Sequence, residues 1–404
     1  MAVQSPTMYF GSQDGMFRSF PGQQEIFCGQ YDPRVRPWYI AASSGPKNII
    51  LVLDTSDSMR GQRMELLKAA AIRVVQTLTV GDRVAIVPFA TTAHVIGDSD
   101  GRMLVATVAN TEYLVNAING LYAEGETNFY GALQSAFDTM DKTVAAALHV
   151  ACNSAILFFT NGIMTTPQNV TEQDVIDLVS TRINATIQSI GKPIVFFTYS
   201  ISETDEVHAF PKKLACSTEL GVWSKIVDPT KIVQSLTSYY QLFSLGLGNS
   251  KDNFVAWVGP YNITFSDIMG TIVSAPVYDR SLNPPLLIGV VGIFHNLNAA
   301  YKALGIETGD PAVLNQIELA STAKCPTLNL TLCVLESFRQ QSSTGNESLC
   351  FAGTCSTNDF VQVEPIKCES VSDYPSNLWD NILFQGLSFR VRNNNFLDQA
   401  QFIQ

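Results

Sequence analysis

Mostly apolar residues fill Asn48–Leu53 and stop at Asp54, after which oxygen-bearing side chains follow in Asp54-Thr55-Ser56-Asp57-Ser58. A short apolar run bounded in this way predicts a parallel strand buried on both faces. Next, Arg63–Leu78 sets Met64, Leu67, Ala71, Val74, Val75 and Leu78 along one helical face. Asp82–Ala90 predicts a second buried strand, and Ser154–Thr160 a further one that ends in Asn161-Gly162. Between them Thr127 sits in Gly125-Glu126-Thr127-Asn128, directly before an apolar helix expected over Phe129–Met140. The pattern is that of an α/β sheet, and open sheets of this kind bind ligands just past the carboxyl ends of their strands.

Asp54, Ser56 and Ser58 fall at that end of the first strand. A carboxylate and two hydroxyls spaced by two suit a hard divalent cation. The same residue types cap helices, so the motif alone leaves both readings open. The wider pattern resembles a von Willebrand factor A domain. That family carries Asp-x-Ser-x-Ser after its first strand, a Thr before a later helix and an Asp after its fourth strand. The matching positions are Asp54, Ser56, Ser58 and Thr127, and Met59-x-Gly61 and Lys68 match the usual continuation of the first helix. The fifth position departs from the family, being Asn161. The resemblance implies a doubly wound, Rossmann-like fold and a site for Mg²⁺ or Ca²⁺. With Asn161 neutral, Asp54 brings the only negative charge of the five, although the Asn amide oxygen still accepts a hydrogen bond from a metal-bound water. The expected site holds its cation weakly alone and firmly when an Asp or Glu of a partner completes the shell.

The flanks carry a second pattern. Tyr31-Asp32-Pro33-Arg34-Val35-Arg36-Pro37-Trp38-Tyr39 reads as a stiff, specific turn, with cation–π packing of Arg on Trp or Tyr as its structural explanation. Far downstream, Val255–Tyr261, Gly270–Tyr278 and Leu287–Ile293 are β-rich segments separated by turn residues. The turn resembles the front half of an extracellular Cache domain, and the later segments resemble its return. The implied architecture is an A domain inserted into an α+β, PAS-like Cache domain. The expected boundaries are 1–46 for the front part, 47–250 for the A domain, 251–304 for the return part and 305–404 for a disulfide-rich C-terminal region. That order resembles the alpha-2-delta auxiliary subunits of voltage-gated calcium channels. The resemblance also implies a Cys152–Cys216 disulfide, and it matches Tyr31, Arg36, Trp38 and Tyr39, joined by Tyr261, to a carboxylate-gripping pocket. The acid that would take a ligand's ammonium is replaced by Phe294, followed by His295. An apolar ring does not balance a buried ammonium, so an α-amino acid is not the expected ligand.

Composition narrows the class. The 404 residues leave room for two or three domains. A net charge of −11 without a basic stripe excludes nucleic acid as a partner. No apolar run approaches the roughly 18 residues that span a bilayer, and Pro285–Phe294 reads as a core strand. Eight cysteines, an even number, fit disulfides made in an oxidising compartment. Connectivity stays open for Cys28, Cys325, Cys333, Cys350, Cys355 and Cys368. Zinc is excluded by spacing, since no Cys-x-x-Cys occurs and His94, His149, His208 and His295 are scattered. Sequons at Asn169, Asn184, Asn262, Asn329 and Asn346 agree with secretion, Asn184 lying in an expected helix. Met1–Ser5 lacks the start of a signal peptide, so the chain is expected to lack an N-terminal portion. There is no nucleophile elbow and no phosphate loop. The reading that results is a non-enzymatic, extracellular or cell-surface protein-binding module resembling an alpha-2-delta subunit. Its expected partner offers an acidic residue to the metal, for instance a membrane channel or surface glycoprotein. The alternatives are a structural glycoprotein of a cell-surface coat or filament, and a small-molecule-sensing Cache ectodomain.

Overall fold

The computed structural model describes residues 7–21, 32–148, 153–218, 220–227, 254–262, 269–282 and 285–305. Leu236, Tyr239, 242–244, 247–248, 307 and 310 are described besides. In chain order the elements are β1 (Thr7–Ser12), β2 (Phe17–Phe20), a 3₁₀ turn (Pro33–Val35), α1 (Pro37–Ser44), β3 (Lys47–Asp54), α2 (Gln62–Thr77), β4 (Arg83–Phe89) and β5 (Leu104–Val105). Then come α3 (Val108–Asn119), α4 (Phe129–Ala145), β6 (Asn153–Thr160), α5 (Glu172–Ile190), β7 (Ile194–Ser200), α6 (Ala209–Cys216) and β8 (Gly221–Lys225). Last are β9 (Ala256–Asn262), β10 (Met269–Asp279), β11 (Leu286–Asn296) and α7 (Leu297–Leu304).

The middle of the chain forms a six-stranded sheet in the order β5-β4-β3-β6-β7-β8, parallel except for the short β5. Every residue of β3 and β6 is buried, as their continuous apolar runs require. Alternate strand residues feed two cores. Ile49, Leu51 and Leu53 join Leu67, Ala71 and Val75 of α2 on one face. Ile50 and Val52 join Leu133, Ala136 and Phe137 of α4 and Val175 and Val179 of α5 on the other. The chain leaves β3 toward β4 and leaves β6 toward β7, so β3 and β6 flank the point where strand order reverses. A crevice opens there at the carboxyl ends. Helix α4 runs past the expected end at Met140 to Ala145. The polar Thr139 and Thr143 do not break it, because each hydroxyl donates to the carbonyl four residues back, at 2.9 and 2.8 Å.

The flanks meet in a second, antiparallel sheet ordered β2-β1-β11-β10-β9. Strand β1 pairs with β11 in the register Met8↔Ile293, so one sheet is closed by residues from both sides of the parallel unit. Segment 32–44 is a 3₁₀ turn followed by a helix. Asp32 accepts from the Arg34 backbone N–H and forms an ion pair with its guanidinium at 2.8 Å, and Pro37 opens α1. Trp38 and Tyr39 are 2% and 1% exposed. The Trp38 carbonyl accepts from Ser274 Oγ at 2.9 Å, which fixes α1 to β10. The core on the α2 face continues without interruption into this sheet through Trp38, Val290 and Phe294. Buried Leu236, Tyr239, Phe243 and Leu247, at helical spacing, belong to the same core. Tyr239 Oη lies 2.6 Å from Thr77 Oγ1 at the end of α2.

Candidate metal centre

Asp54 is the last residue of β3 and is fully buried. Its Oδ1 accepts from Ser56 Oγ at 2.7 Å and from the Ser56 backbone N–H at 3.0 Å. Its Oδ2 accepts from Thr160 Oγ1 at 2.7 Å, and the Asn161 backbone N–H also donates to the carboxylate. Burial pushes the Asp54 carboxyl above the ordinary carboxylate range, against the pull of the hydrogen bonds from Ser56, Thr160 and Asn161. A cation at this place would reverse that balance, because it favours the charged form.

Ser56 Oγ and Ser58 Oγ lie 2.8 Å apart. Adjacent oxygen ligands on an octahedral Mg²⁺ at about 2.1 Å are separated by about 3 Å, so the spacing of the two hydroxyls fits one ion. Asp54 already takes donors on both oxygens, and a carboxylate so engaged supplies charge and hydrogen-bond acceptance more readily than another direct bond. Thr127 is 2% exposed. Its loop is laced to the others: Asp57 N–H donates to the Gly125 carbonyl at 2.9 Å and Glu124 N–H to the Thr55 carbonyl at 2.9 Å. On the far side Thr127 N–H donates to Thr165 Oγ1 at 2.8 Å, and its carbonyl accepts from Thr165 N–H at 3.0 Å. Asn161, 2% exposed, begins the loop after β6, and its Oδ1 accepts from Ile163 N–H at 3.4 Å. The next residue, Gly162, has φ +95°, and a Cβ there would stand 1.9 Å from the Val207 carbonyl oxygen. That close approach sets the loop carrying Asn161 against the turn before α6.

Asp54, Ser56, Ser58, Thr127 and Asn161 therefore all stand on three interlocked loops at one end of the sheet. Thr160 is the residue that sequence reasoning missed. Its hydroxyl orients the Asp54 carboxylate, and the available signal was a Thr closing an otherwise apolar strand. The donor set of one carboxylate, hydroxyls and an amide is all oxygen, which fits Mg²⁺ or Ca²⁺ and not a soft metal.

The other expected sites fare differently. Arg36 adjoins α1, while Trp38 and Tyr39 are core residues in ring contact with each other at 5.8 Å. Tyr39 is pushed above the usual tyrosine range by burial. The side chain of Tyr261 and all of Tyr31 lie outside the described residues. Phe294 is 8% exposed and packs on Gly270. Cys216 is disulfide-bonded; Cys152 lies outside the described residues, as do Cys28 and the five C-terminal cysteines. Asn169 and Asn184 are exposed, the latter on α5. Asn329 and Asn346 lie outside the described residues, as does the Asn262 side chain. Among the described residues no helix is long and apolar enough to cross a membrane.

Residues 49–163 match the family model of the von Willebrand factor type A domain. Among curated proteins the chain is similar to the voltage-dependent calcium channel subunit alpha-2/delta-3 of Rattus norvegicus, 26% identical over 70% of this chain and 26% of the relative. It is likewise similar to alpha-2/delta-2 of Homo sapiens, 25% identical over 73% of this chain and 25% of the relative. The chain spans about a quarter of the length of these relatives. A solved structure similar to it is the von Willebrand factor type A protein from Catenulispora acidiphila, with TM-score 0.37 and 18% identity over 72% of this chain and 66% of that one.

Proposed function

We propose that this chain, which carries a von Willebrand factor type A domain and is similar to alpha-2/delta calcium channel subunits, is a non-enzymatic protein-binding module of the cell exterior. Its binding centre is a divalent cation, Mg²⁺ or Ca²⁺, held by Ser56 and Ser58 with Thr127, and by Asp54 and Asn161 through hydrogen bonds. The bound ion supplies a Lewis-acidic, positively charged point at the protein surface. A partner's Asp or Glu completes its shell. The partner we favour is a membrane channel gripped from outside, as the names of the relatives suggest. The antiparallel sheet closed by both flanks is read here as the interrupted Cache domain, with its Arg36, Trp38 and Tyr39 retained as packing.

The observation that carries the reading is the pair of serine hydroxyls 2.8 Å apart beside a buried carboxylate. Both oxygens of the Asp54 carboxylate already accept hydrogen bonds, which favours binding over activation of a water. The decisive experiment is recovery of the protein from its native membranes with its partners, washed with and without EDTA. A channel subunit released by EDTA, and retained less well by Ser56→Ala and Ser58→Ala, is the expected result. Partners indifferent both to EDTA and to the serine variants would remove the metal from the account.

A further inference from the structure

The loop that follows β6 reaches both of the other loops of the centre, through hydroxyls that lie outside the five expected site residues. Thr160 closes β6 and is fully buried. Its carbonyl accepts from the Ile201 N–H at 2.8 Å, which fixes its backbone to the end of β7. A β-branched side chain on so fixed a backbone has little freedom about χ1. The hydroxyl is engaged in both senses. Oγ1 accepts from the Gly162 N–H at 2.9 Å and lies 2.7 Å from Asp54 Oδ2. A hydroxyl has one hydrogen to donate and an ionised carboxylate has none. The bonds therefore run in one direction, from Gly162 through Thr160 to Asp54.

At its other end the same loop holds Thr127. Thr165 Oγ1 accepts from the Thr127 N–H at 2.8 Å. The N–H groups of Thr165 and Thr166 both donate to the Thr127 carbonyl, at 3.0 and 3.2 Å. Residues 160–166 thus bridge the last residue of β3 to the residue that leads into α4. Asp54 and Thr127 are 0% and 2% exposed, so neither relies on bulk water to set its orientation.

We propose that Thr160 and Thr165 are positioning residues of the metal centre, a clamp that sets Asp54 and Thr127 in place before the cation arrives. The assignment rests on the metal-dependent reading above. Groups that orient a ligand from behind change metal affinity by about 10–100-fold when they are removed. The effect is greatest where the orienting group is itself locked, as Thr160 is by its bonds with Ile201 and Gly162.

The test is calorimetric titration of the full chain with Mg²⁺, carried to saturation, beside amide hydrogen exchange of the metal-free protein. Thr160→Val removes the hydroxyl and nearly keeps the shape. It should weaken Mg²⁺ binding about tenfold or more and speed exchange of the Gly162 amide. Thr160→Ser restores the hydroxyl and should recover both. Thr165 is exposed, so Thr165→Val leaves the fold intact; it should weaken Mg²⁺ binding about tenfold and speed exchange at Thr127. Thr143→Val is the control, because it strips a buried hydroxyl from the far end of α4. It should lower the melting temperature and leave Mg²⁺ affinity at the wild-type value. Wild-type affinity in Thr160→Val, or no recovery in Thr160→Ser, would overturn the role of Thr160. An equal loss in Thr143→Val would reduce the clamp to general stability and overturn it. Should Thr160→Val not fold, Thr165→Val decides, and wild-type affinity there overturns the clamp. Each of these failures leaves Mg²⁺ binding by the wild type standing. If the wild type itself takes up no Mg²⁺, the metal-dependent reading fails and the clamp falls with it.

Discussion

On the proposed metal-binding reading, a single side-chain amide, that of Asn161, sets how strongly the centre would hold an ion. Asp54 is buried, hydrogen-bonded on both oxygens and the one carboxylate among the five site residues. Cation affinity in oxygen sites rises with the number of charged ligands, so Asn161→Asp is expected to tighten Mg²⁺ binding on the order of tenfold in a calorimetric titration. The same substitution should make the site less dependent on a partner's carboxylate. An unchanged affinity would mean that position 161 does not address the ion. At this scale the sequence was informative where spacing imposed the chemistry and silent where a residue had two uses. The apolar run ending at Asp54 made the place of Asp54, Ser56 and Ser58 at the carboxyl end of β3 legible, although the same residue types also cap helices. Thr160 was not, because a Thr inside a strand is also simply a good β-former.

At the level of elements, β3 connects two different polar centres. Its last residue is Asp54; its first, Lys47, pairs with Asp82 at 3.0 Å with both side chains 1% exposed. Asp82 also accepts from the Lys47 backbone N–H at 3.0 Å and the Thr79 backbone N–H at 2.7 Å. Removing one partner leaves a buried ammonium uncompensated, so Asp82→Ala should cost about 3–5 kcal/mol in urea unfolding. Strand residues rise about 3.3 Å each, which sets the two centres roughly 23 Å apart. Mg²⁺ affinity of the folded variant should therefore stay at the wild-type value, and a parallel loss of both would show that the ends of β3 are coupled. The sequence announced β3, β4 and β6 through their apolar runs, because a strand buried on both faces has no polar alternation to confuse it. It did not announce the role of Asp82, since Gly81-Asp82 reads equally well as a plain turn.

For the molecule as a whole, the shared core ties the parallel unit to the antiparallel sheet. Trp38, on α1, is bound to β10 of the antiparallel sheet through its carbonyl, and Trp223, on β8 of the parallel sheet, donates from Nε1 to Ser200 Oγ at 2.9 Å. The expected result is one cooperative thermal transition reported alike by tryptophan emission and by far-ultraviolet dichroism. A ligand at about 100 times its dissociation constant adds about 2.7 kcal/mol, so Mg²⁺ should move that whole transition upward by about 2–4 °C. Two separated transitions, with only one shifted by Mg²⁺, would show that the joint between the sheets is too weak to make them one unit.

The pairing of β1 with β11 has a consequence in time. Met8 meets Ile293, a partner that leaves the ribosome about 285 residues later. At roughly 5–20 residues per second, β1 waits on the order of a quarter of a minute to a minute with one edge unpaired. The parallel unit emerges entirely within that interval and is free to close. The parallel unit is thus free to assemble before the sheet that its flanks build, and β1 finds its partner late, in the care of whatever guards nascent β edges.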